Sequence, residues 1–234
     1  MVVHNSEHLN NFISNLKQVY RLADIHTAVT KPGPGRKHNV EILHKSTVVL
    51  LVACWEAFVE DLAENALSAV IAVATDPLVI PAEVRERIAT KLQGSKAWDL
   101  AGDGWKTACK SHLKEVLART IGTLNTPKTA QVNELFEKVL GHKNLSSDWK
   151  WKGRSVKAAQ EALDALVTLR GSIAHRVTTA RSVKKADVAD ALVLLLRLAG
   201  RSHNAVNSTV DHLVRDKPWD YFSYGELVDL FHTK

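Results

Sequence analysis

Apolar residues recur at helical spacing along most of this chain. In each such segment they fall three or four positions apart and so form one face of an amphipathic helix. The segments with this spacing are 4–28, 39–74, 82–93, 106–124, 129–140, 155–175 and 184–214. No run of alternating apolar and polar residues closed by a turn predicts a strand. The pattern therefore predicts an all-α protein.

The second helical segment is apolar nearly all round. Its middle, VVLLVACWEAFVEDL at 48–62, has no wide polar face, which is typical of a helix at the centre of a bundle. Its most apolar stretch, 48–59, is shorter than the roughly 20 apolar residues that cross a bilayer, and it contains Glu56. We therefore expect a central bundle helix and no membrane partner.

Prolines, glycines and polar residues cluster between the helical segments. The predicted connections are KPGPGRKH at 31–38, DPLVIP at 76–81, GSKAWDLAGDGW at 94–105, GHKNLSSDWKWKGR at 141–154 and RVTTARSVKKAD at 176–187. Trp98 and Trp105 are expected to anchor the third connection to the bundle. Ser182 or a neighbouring residue is expected to cap the last long helix.

The chain is interpreted as one all-helical domain spanning 1–234. Its 234 residues, of which 45% are hydrophobic, suffice for one large core. That core is expected over about 40–214. It is flanked by the N-terminal helix, 4–28, and by an aromatic C-terminal tail, 215–234, which includes a short last helix.

Charge and cysteine content narrow the function classes only slightly. The net charge of +6 permits a polyanionic partner but does not require one. Cys54 and Cys109 lack metal-ligand spacing and are expected to be buried in a protein of a reducing compartment. The 11 histidines form no metal-ligand set, and no nucleotide-binding loop is present. We predict no metal and no cofactor.

The start of the chain has no signal-peptide pattern, so a cytoplasmic location is predicted.

Arg170 stands at a position where the sixth helical segment is otherwise apolar. On a helical wheel it falls within the arc formed by Ala159, Leu163, Leu166, Leu169, Ile173 and Val177. A charge that points into an apolar face is costly unless a carboxylate, backbone carbonyls, a partner subunit or a bound anion compensates it. A structural ion pair and a functional site both remain open, and spacing alone favours the ion pair.

Glu56 is the candidate partner for Arg170. It lies within the apolar run of the central helix, where a lone acid is itself costly, so the two residues are expected to offset each other's burial. Glu60, one turn further along, is the alternative partner. Such a pair also fixes the guanidinium plane, which helps if its other side meets a phosphate.

His175 follows Arg170 by five residues. On a continuous helix this spacing places the two side chains about 140° apart around the axis and about 7.5 Å apart along it. They share a site only if the helix ends there or if a second chain completes it. A histidine that transfers protons and an arginine that stabilises phosphate charge suit metal-independent RNA cleavage. A lone histidine at a helix end is more often a cap or a surface residue.

The stretch LRGSIAHRV at 169–177 resembles the Arg-x4-6-His motif of the HEPN superfamily. The resemblance extends to other blocks in the same order. VLLVACWEAFVEDL at 49–62 resembles the acid-bearing central helix of the RiboL-PSP-HEPN branch. NTPKTAQVNELFEKVLG at 125–141 resembles its middle block, and the leucine-rich seventh segment resembles its last long helix.

The resemblance implies an antiparallel HEPN-like helical bundle with additional helices that forms a homodimer. It implies a metal-independent endoribonuclease that cleaves RNA through 2′-OH attack, often as a toxin or defence component with an antitoxin or other regulatory partner. Carried over by position, Arg170 and His175 are the active pair and Glu56 is the supporting acid. The rival interpretation is a non-catalytic module that binds RNA or protein.

Three residues near the motif depart from the family pattern. Gly171 stands where relatives commonly carry a polar side chain, Arg176 stands where glycine is frequent, and Val177 stands where some toxins carry a tyrosine. Ser172 is a substitute polar neighbour, although it points away on the wheel. These departures favour the rival interpretation.

Two basic segments are candidate RNA contacts. Arg176, Arg181, Lys184 and Lys185 follow the motif and are placed to guide RNA toward it. The segment around Trp149, Lys150, Trp151 and Lys152, with Lys143, Arg154 and Lys157 nearby, interleaves aromatic and basic residues. Such a segment can stack bases and hold phosphates. The alternative, which we favour, is that its tryptophans anchor a loop to the bundle.

Overall fold

The computed structural model describes residues 6–29, 41–121, 126–176, 179 and 181–233. Its α-helices are α1 Glu7–Val29, α2 Glu41–Val73, α3 Ala82–Ala89, α4 Gly104–Ile121, α5 Thr129–Leu140, α6 Val156–Arg176, α7 Lys185–Val214 and α8 Tyr224–His232. Short 3-10 helices cover Pro77–Val79, Gly94–Leu100 and Leu145–Asp148. The described residues contain no β-strand, so the predicted all-α class is confirmed. The predicted loop at 31–38 lies outside the described residues.

The segment between α3 and α4 differs most from the sequence prediction. α3 ends at Ala89 rather than near residue 93, and Gly94 begins a short 3-10 helix with a left-handed φ of 68°. Trp98, in that helix, is 82% exposed, so its predicted anchoring role is wrong. Trp105 is buried in the first turn of α4 and does anchor the segment.

α2 is the central helix, as predicted. It packs against α1, α4, α5, α6 and α7, and its largest side chains, Trp55 and Phe58, are fully buried. Trp55 also donates its indole N–H to the carbonyl of Pro127, at 3.1 Å, which ties α2 to the segment before α5. The apolar stretch at 48–59 belongs to a longer helix of 33 residues. By length and composition alone, α2 could cross a membrane, although core helices meet the same criterion.

Aspartate side chains accept backbone N–H groups at the starts of α5 and α7. Asp164 of α6 accepts the backbone N–H of Thr129 at 2.8 Å and so caps the first turn of α5. The backbone N–H of Lys184, two residues after Ser182, donates to Asp187 at 2.7 Å at the start of α7. The first of these bonds joins α6 to the start of α5, and the second closes the first turn of α7.

A buried hydrogen-bonded chain joins α1, α2, α7 and the C-terminal segment. Within it, His8 and His203 are fully buried, with 2.8 Å between Nε2 of His8 and Nδ1 of His203. Asn65 contacts the other nitrogen of His8, at 3.2 Å, and Nε2 of His203 reaches the carbonyl of Asp220 at 2.8 Å. These hydrogen bonds tie the N-terminal end of α1 to α2, α7 and the segment before α8.

Both cysteines are buried, as the sequence predicted. Cys54 lies in α2 and Cys109 in α4, and both are free thiols. Burial raises the pKa of the Cys54 thiol to about 11 and also raises that of Cys109. Both thiols are therefore protonated and behave as small hydrophobic side chains.

Candidate functional site

Arg170 lies at the contact between α6 and α2. Its neighbours on the same face, including Leu163, Leu166 and Ile173, are buried in the core. Its guanidinium lies 3.7 Å from the Glu56 carboxylate, and the two side chains are 25% and 23% exposed. Glu56 is therefore the partner, as predicted, while Glu60 forms no ion pair with Arg170 among the described residues.

The Arg170 guanidinium is not saturated by this contact. Its Nε–H is buried without a hydrogen-bond partner in the described part of the chain. The separation of 3.7 Å from Glu56 is an ion-pair distance rather than a hydrogen bond. The guanidinium is thus held in place by one carboxylate and by apolar neighbours, and it keeps donors for a further acceptor.

The acids of α2 form a row with raised pKa values beside Arg170. Burial raises the pKa of Glu56, while the positive charge of Arg170 opposes that rise. Burial, followed by repulsion from Glu56 and Asp61, raises the pKa of Glu60 to about 6. Glu60, one turn along α2 from Glu56, therefore binds a proton more readily than an ordinary carboxyl does. The sequence offered Glu60 only as a substitute for Glu56.

His175 lies in the last turn of α6 and is exposed. The helix ends one residue later, at Arg176, so the expected end near His175 is confirmed. Arg170 and His175 nevertheless belong to one continuous helix, and their side chains leave it about 140° apart. Within a single chain, the two residues face different sides of α6. Arg170 points toward α2, and His175 points toward solvent.

Gly171 and Ser172 occupy the turn between the two motif residues. A Cβ built on Gly171 meets nothing within 4 Å, so the backbone there has room for a side chain. Ser172 is exposed and donates its hydroxyl to the carbonyl of Thr168, one turn earlier, at 3.2 Å. Ser172 is therefore engaged with its own helix, and it faces away from Arg170 as expected. Val177 lies outside the described residues.

The basic residues after α6 differ in their availability. Arg181, which was predicted to guide RNA toward the motif, forms a bidentate pair with Asp187 at 2.8 and 2.9 Å, so part of its hydrogen-bonding capacity is used at the start of α7. Arg176, Lys184 and Lys185 are exposed, and none has a salt-bridge partner in the described parts of the chain. These three remain candidates for guiding RNA toward the end of α6.

The two tryptophans of the segment at 141–154 play different parts. Trp149 is fully buried and donates its indole N–H to Ser202 at 2.9 Å, which confirms the anchoring interpretation and removes Trp149 from the candidates for base stacking. Trp151 is only half-buried. The Arg154 and Arg197 guanidinium carbons lie 5.8 and 5.5 Å from its ring centroid. Lys150 and Lys152 are exposed.

Arg197 was not among the residues predicted from the sequence. It interrupts the leucine-rich stretch of α7, LVLLLRLAGR, and Arg201 follows one turn later. This is the same signal that identified Arg170, a charge within an apolar run.

A wide groove runs between α6 and α7. Its volume is about 1080 Å³, and it extends from Trp151 and Arg197 to Thr179 and Arg181 beyond the end of α6. Leu169 and Ser172 form part of its α6 wall. The groove thus follows α6 along the side that faces α7, and it reaches the end of the helix near His175, but neither Arg170 nor His175 is among its lining residues.

Comparison with known proteins supports one family. A family model described as RiboL-PSP-HEPN matches residues 5–208, which include the whole of α2, α5 and α6 and most of α7. Neither curated proteins nor solved structures give a match to the chain. The family match supports a nuclease or another RNA-related module.

Proposed function

We propose that this chain, which belongs to the RiboL-PSP-HEPN family, is a metal-independent endoribonuclease. A ribose 2′-OH of the RNA attacks the adjacent phosphate, the 5′-oxygen of the next nucleotide leaves, and a 2′,3′-cyclic phosphate remains. Arg170 stabilises the charge on the phosphate. His175 transfers a proton or binds the phosphate, and Glu56 orients Arg170.

The observation that carries this proposal is the state of Arg170. It is a cation on the apolar face of a core helix, one quarter exposed, 3.7 Å from a single carboxylate and with a buried Nε–H that has no partner among the described residues. A purely structural ion pair at such a position normally satisfies its donors, because an unpaired buried donor is costly. An incoming phosphate can contact Arg170 through the quarter of its side chain that is exposed.

The geometry of α6 makes a second chain part of the proposal. Because Arg170 and His175 leave one helix about 140° apart, one chain does not direct both side chains to one phosphate. A symmetric dimer resolves this, since Arg170 of one chain then meets His175 of the other, twice. We place this dimer in the cytoplasm, in a toxin or defence setting with a regulatory protein partner.

RNA cleavage in EDTA tests the catalytic assignment. Purified chain is incubated with total RNA next to Arg170→Ala, His175→Ala and, as a matched control, the variant His212→Ala of an exposed histidine on α7. We expect cleavage by the wild type and by His212→Ala, with 2′,3′-cyclic phosphate ends, and none by the other two variants. Equal cleavage by all proteins, or by none, contradicts the proposal. Circular dichroism confirms that each variant is folded.

Mixing the two inactive variants tests the shared site. In an equal mixture of Arg170→Ala and His175→Ala chains, half of the dimers are mixed, and each mixed dimer has one intact site and one doubly altered site. We expect about one quarter of wild-type activity to return, by the symmetry of a two-fold dimer. No recovery after subunit exchange means that each site uses both residues of one chain, which contradicts the shared site.

A non-catalytic RNA-binding module is the second candidate. Two observations favour it. Arg170 and His175 of one chain face different sides of α6, and Gly171 has no side chain. Since a Cβ at Gly171 meets nothing within 4 Å, Gly171→Asn restores the polar residue common in the family without a clash. Binding without cleavage in the wild type, together with cleavage by Gly171→Asn, identifies this second function.

A further inference from the structure

We propose a phosphate-binding site, distinct from the motif, where the turn at 151–154 meets α7 and α8. Arg197 and Arg201 line its cavity, and Arg154 lies over the ring of Trp151, which also lines it. The inference deepens the proposed function, on which it rests, because the ligand is a backbone phosphate of the RNA strand that is cut at Arg170 and His175. It assigns a second point at which that strand is held.

The turn at 151–154 fixes one side of this site. The backbone N–H of Arg154 donates to the carbonyl of Trp151 at 3.0 Å, and the N–H of Trp151 donates back to Arg154 at 3.3 Å. Gly153 has a φ of +86°, which this third turn position requires and which favours glycine. The turn therefore holds Trp151 and Arg154 side by side, and the Arg154 guanidinium lies over the Trp151 ring.

Aromatic rings hold Arg197 on the other side. Its guanidinium carbon lies 3.7 Å from the ring centroid of Tyr224, at the start of α8, and 5.5 Å from that of Trp151. Stacking on aromatic faces fixes the plane of a guanidinium while its N–H groups keep their hydrogen-bonding capacity. Arg197 is thus oriented before any ligand arrives, which lowers the entropy lost on binding.

The positive charges of this site have no ion-pair partner among the residues that the structure describes. Arg201 lies one turn after Arg197 on α7 and is exposed, so the two like charges repel each other. In the described residues, no carboxylate forms a salt bridge with Arg154, Arg197 or Arg201. A bound anion relieves this repulsion, and phosphate matches the paired N–H groups of arginine.

The cavity at this point suits a phosphate rather than a larger ligand. Its volume is about 210 Å³, and Arg197, Arg201, Ser223 and Tyr224 line it. Sites for drug-sized molecules are typically about 300 Å³ or larger, so a phosphate with part of its sugar is the better fit.

The groove between α6 and α7 connects this cavity to the end of α6. Trp151 and Arg197 line both spaces. The α6 wall from Ala162 to Ser172 is about 15 Å long at helical rise. Asp164 and Asp190 also line the groove, so the arginine cluster at its end, rather than the groove as a whole, attracts the strand. One RNA strand that is held at the arginines can therefore follow the groove as far as the end of α6, where His175 lies.

RNA binding without cleavage tests the inference. All proteins carry His175→Ala and are titrated in EDTA against a fluorescently labelled single-stranded oligoribonucleotide. We expect Arg197→Gln and Arg201→Gln each to weaken binding about tenfold and to lower the slope of log affinity against log salt by about 0.7. Arg21→Gln, an exposed arginine of α1, is the matched control and leaves both quantities unchanged.

A tryptophan pair gives a second comparison. Trp151→Leu removes the ring that orients two arginines and is expected to weaken binding, whereas Trp98→Leu removes an exposed ring far from them along the chain and is not. Unfolding temperatures of all variants show that they are folded. Because Arg201 is exposed, its variant keeps the test decisive even if Arg197→Gln unfolds.

Three outcomes overturn the inference. Equal affinity of Arg197→Gln, Arg201→Gln and Arg21→Gln removes the site. Competition by ATP as strong as that by unlabelled RNA means that the site takes free nucleotides and not a strand. Wild-type cleavage with unchanged binding in both arginine variants also refutes it. If RNA binding depends on Arg197 and Arg201 but the wild type cleaves no RNA, the result supports this site and contradicts the nuclease proposal.

Discussion

The buried pair of His8 and His203 makes the stability of this fold sensitive to mild acid. The carbonyl of Asp220 only accepts, so His203 donates from Nε2 and accepts at Nδ1. His8 then donates from Nε2 and accepts the Asn65 amide at Nδ1. Every ring nitrogen is used with both imidazoles neutral. Protonation of either ring places a new donor against an existing donor, in a fully buried position.

The size of the effect follows from the two pKa values. Burial, followed by repulsion from His203, lowers the pKa of His8 to about 3, and burial lowers that of His203 to about 4, against 6.5 for a free histidine. Below about pH 6.5, these two histidines therefore bind more protons in the unfolded chain than in the folded chain. Stability is full above that pH and falls as the pH drops toward the folded values. From pH 7 to pH 5 the loss is about 2 kcal/mol per histidine and about 4 kcal/mol for both.

Other groups titrate in the same range, so a variant is needed to isolate the pair. The raised pKa of Glu60 works in the opposite direction, because its folded carboxyl takes up a proton more readily than the unfolded one. Urea unfolding is measured at pH 7 and pH 5 for the wild type, for His203→Gln and for His212→Gln, an exposed histidine on the same helix. We expect His203→Gln to lose about 2 kcal/mol less than the other two proteins between these pH values.

Two results would refute this reasoning. One is the same pH dependence in all three proteins, which would mean that His203 binds protons equally in the folded and unfolded states. The other is an imidazole ¹⁵N spectrum at pH 5 that shows either ring charged or protonated at Nδ1. The spectrum reports the protonation state of both histidines in the wild type, so it tests the reasoning even if His203→Gln does not fold.

Three further substitutions probe packing, each by chemical unfolding. Gly171→Ala is expected to stabilise the protein by roughly 0.5 to 1 kcal/mol, since the new Cβ meets nothing and glycine is unfavourable inside a helix; destabilisation would contradict it. Gly200→Ala is instead expected to lower the free energy of unfolding by about 1 to 2 kcal/mol, because its Cβ falls 2.7 Å from Cδ1 of the fully buried Leu227. Unchanged stability would mean that Leu227 and α8 move away without cost. Trp149→Phe leaves the buried hydroxyl of Ser202 without its donor and is expected to cost about 1 to 3 kcal/mol, with Trp98→Phe as the neutral control.

The helices themselves were largely predictable, because their signal is local. The bounds of α5 agree with the predicted segment, those of α6 differ by one residue at each end, and α7 begins one residue later than predicted. Apolar periodicity and breaker residues act within a few positions of each other, which is the range over which a helix forms. The prediction failed at 94–105, where no periodicity distinguishes an exposed tryptophan from a buried one. There Trp98 and Trp105 have the same local appearance and opposite burial.

The candidate site was predictable where one helix sufficed and not where several helices meet. A charge on the apolar face of α6 identified Arg170, and a lone acid in the central helix identified Glu56. Choosing Glu56 over Glu60 required the rotation of α2 relative to α6, which the packing of the whole core determines. The engagement of Arg181 by Asp187 likewise depends on how the chain turns into α7.

By itself, the sequence determined the all-α class, the positions of the long helices, the family resemblance and the place of Arg170 on a buried face. These follow from periodicity and from motif order, both of which are properties of neighbouring residues. Only the tertiary structure decided that Glu56 is the partner of Arg170, that two histidines 195 positions apart share a hydrogen bond, and that Trp151, Arg197 and Tyr224 enclose one cavity. The physical reason is that such contacts join side chains distant along the chain, and the angle and rotation of each packed helix determine which of them meet.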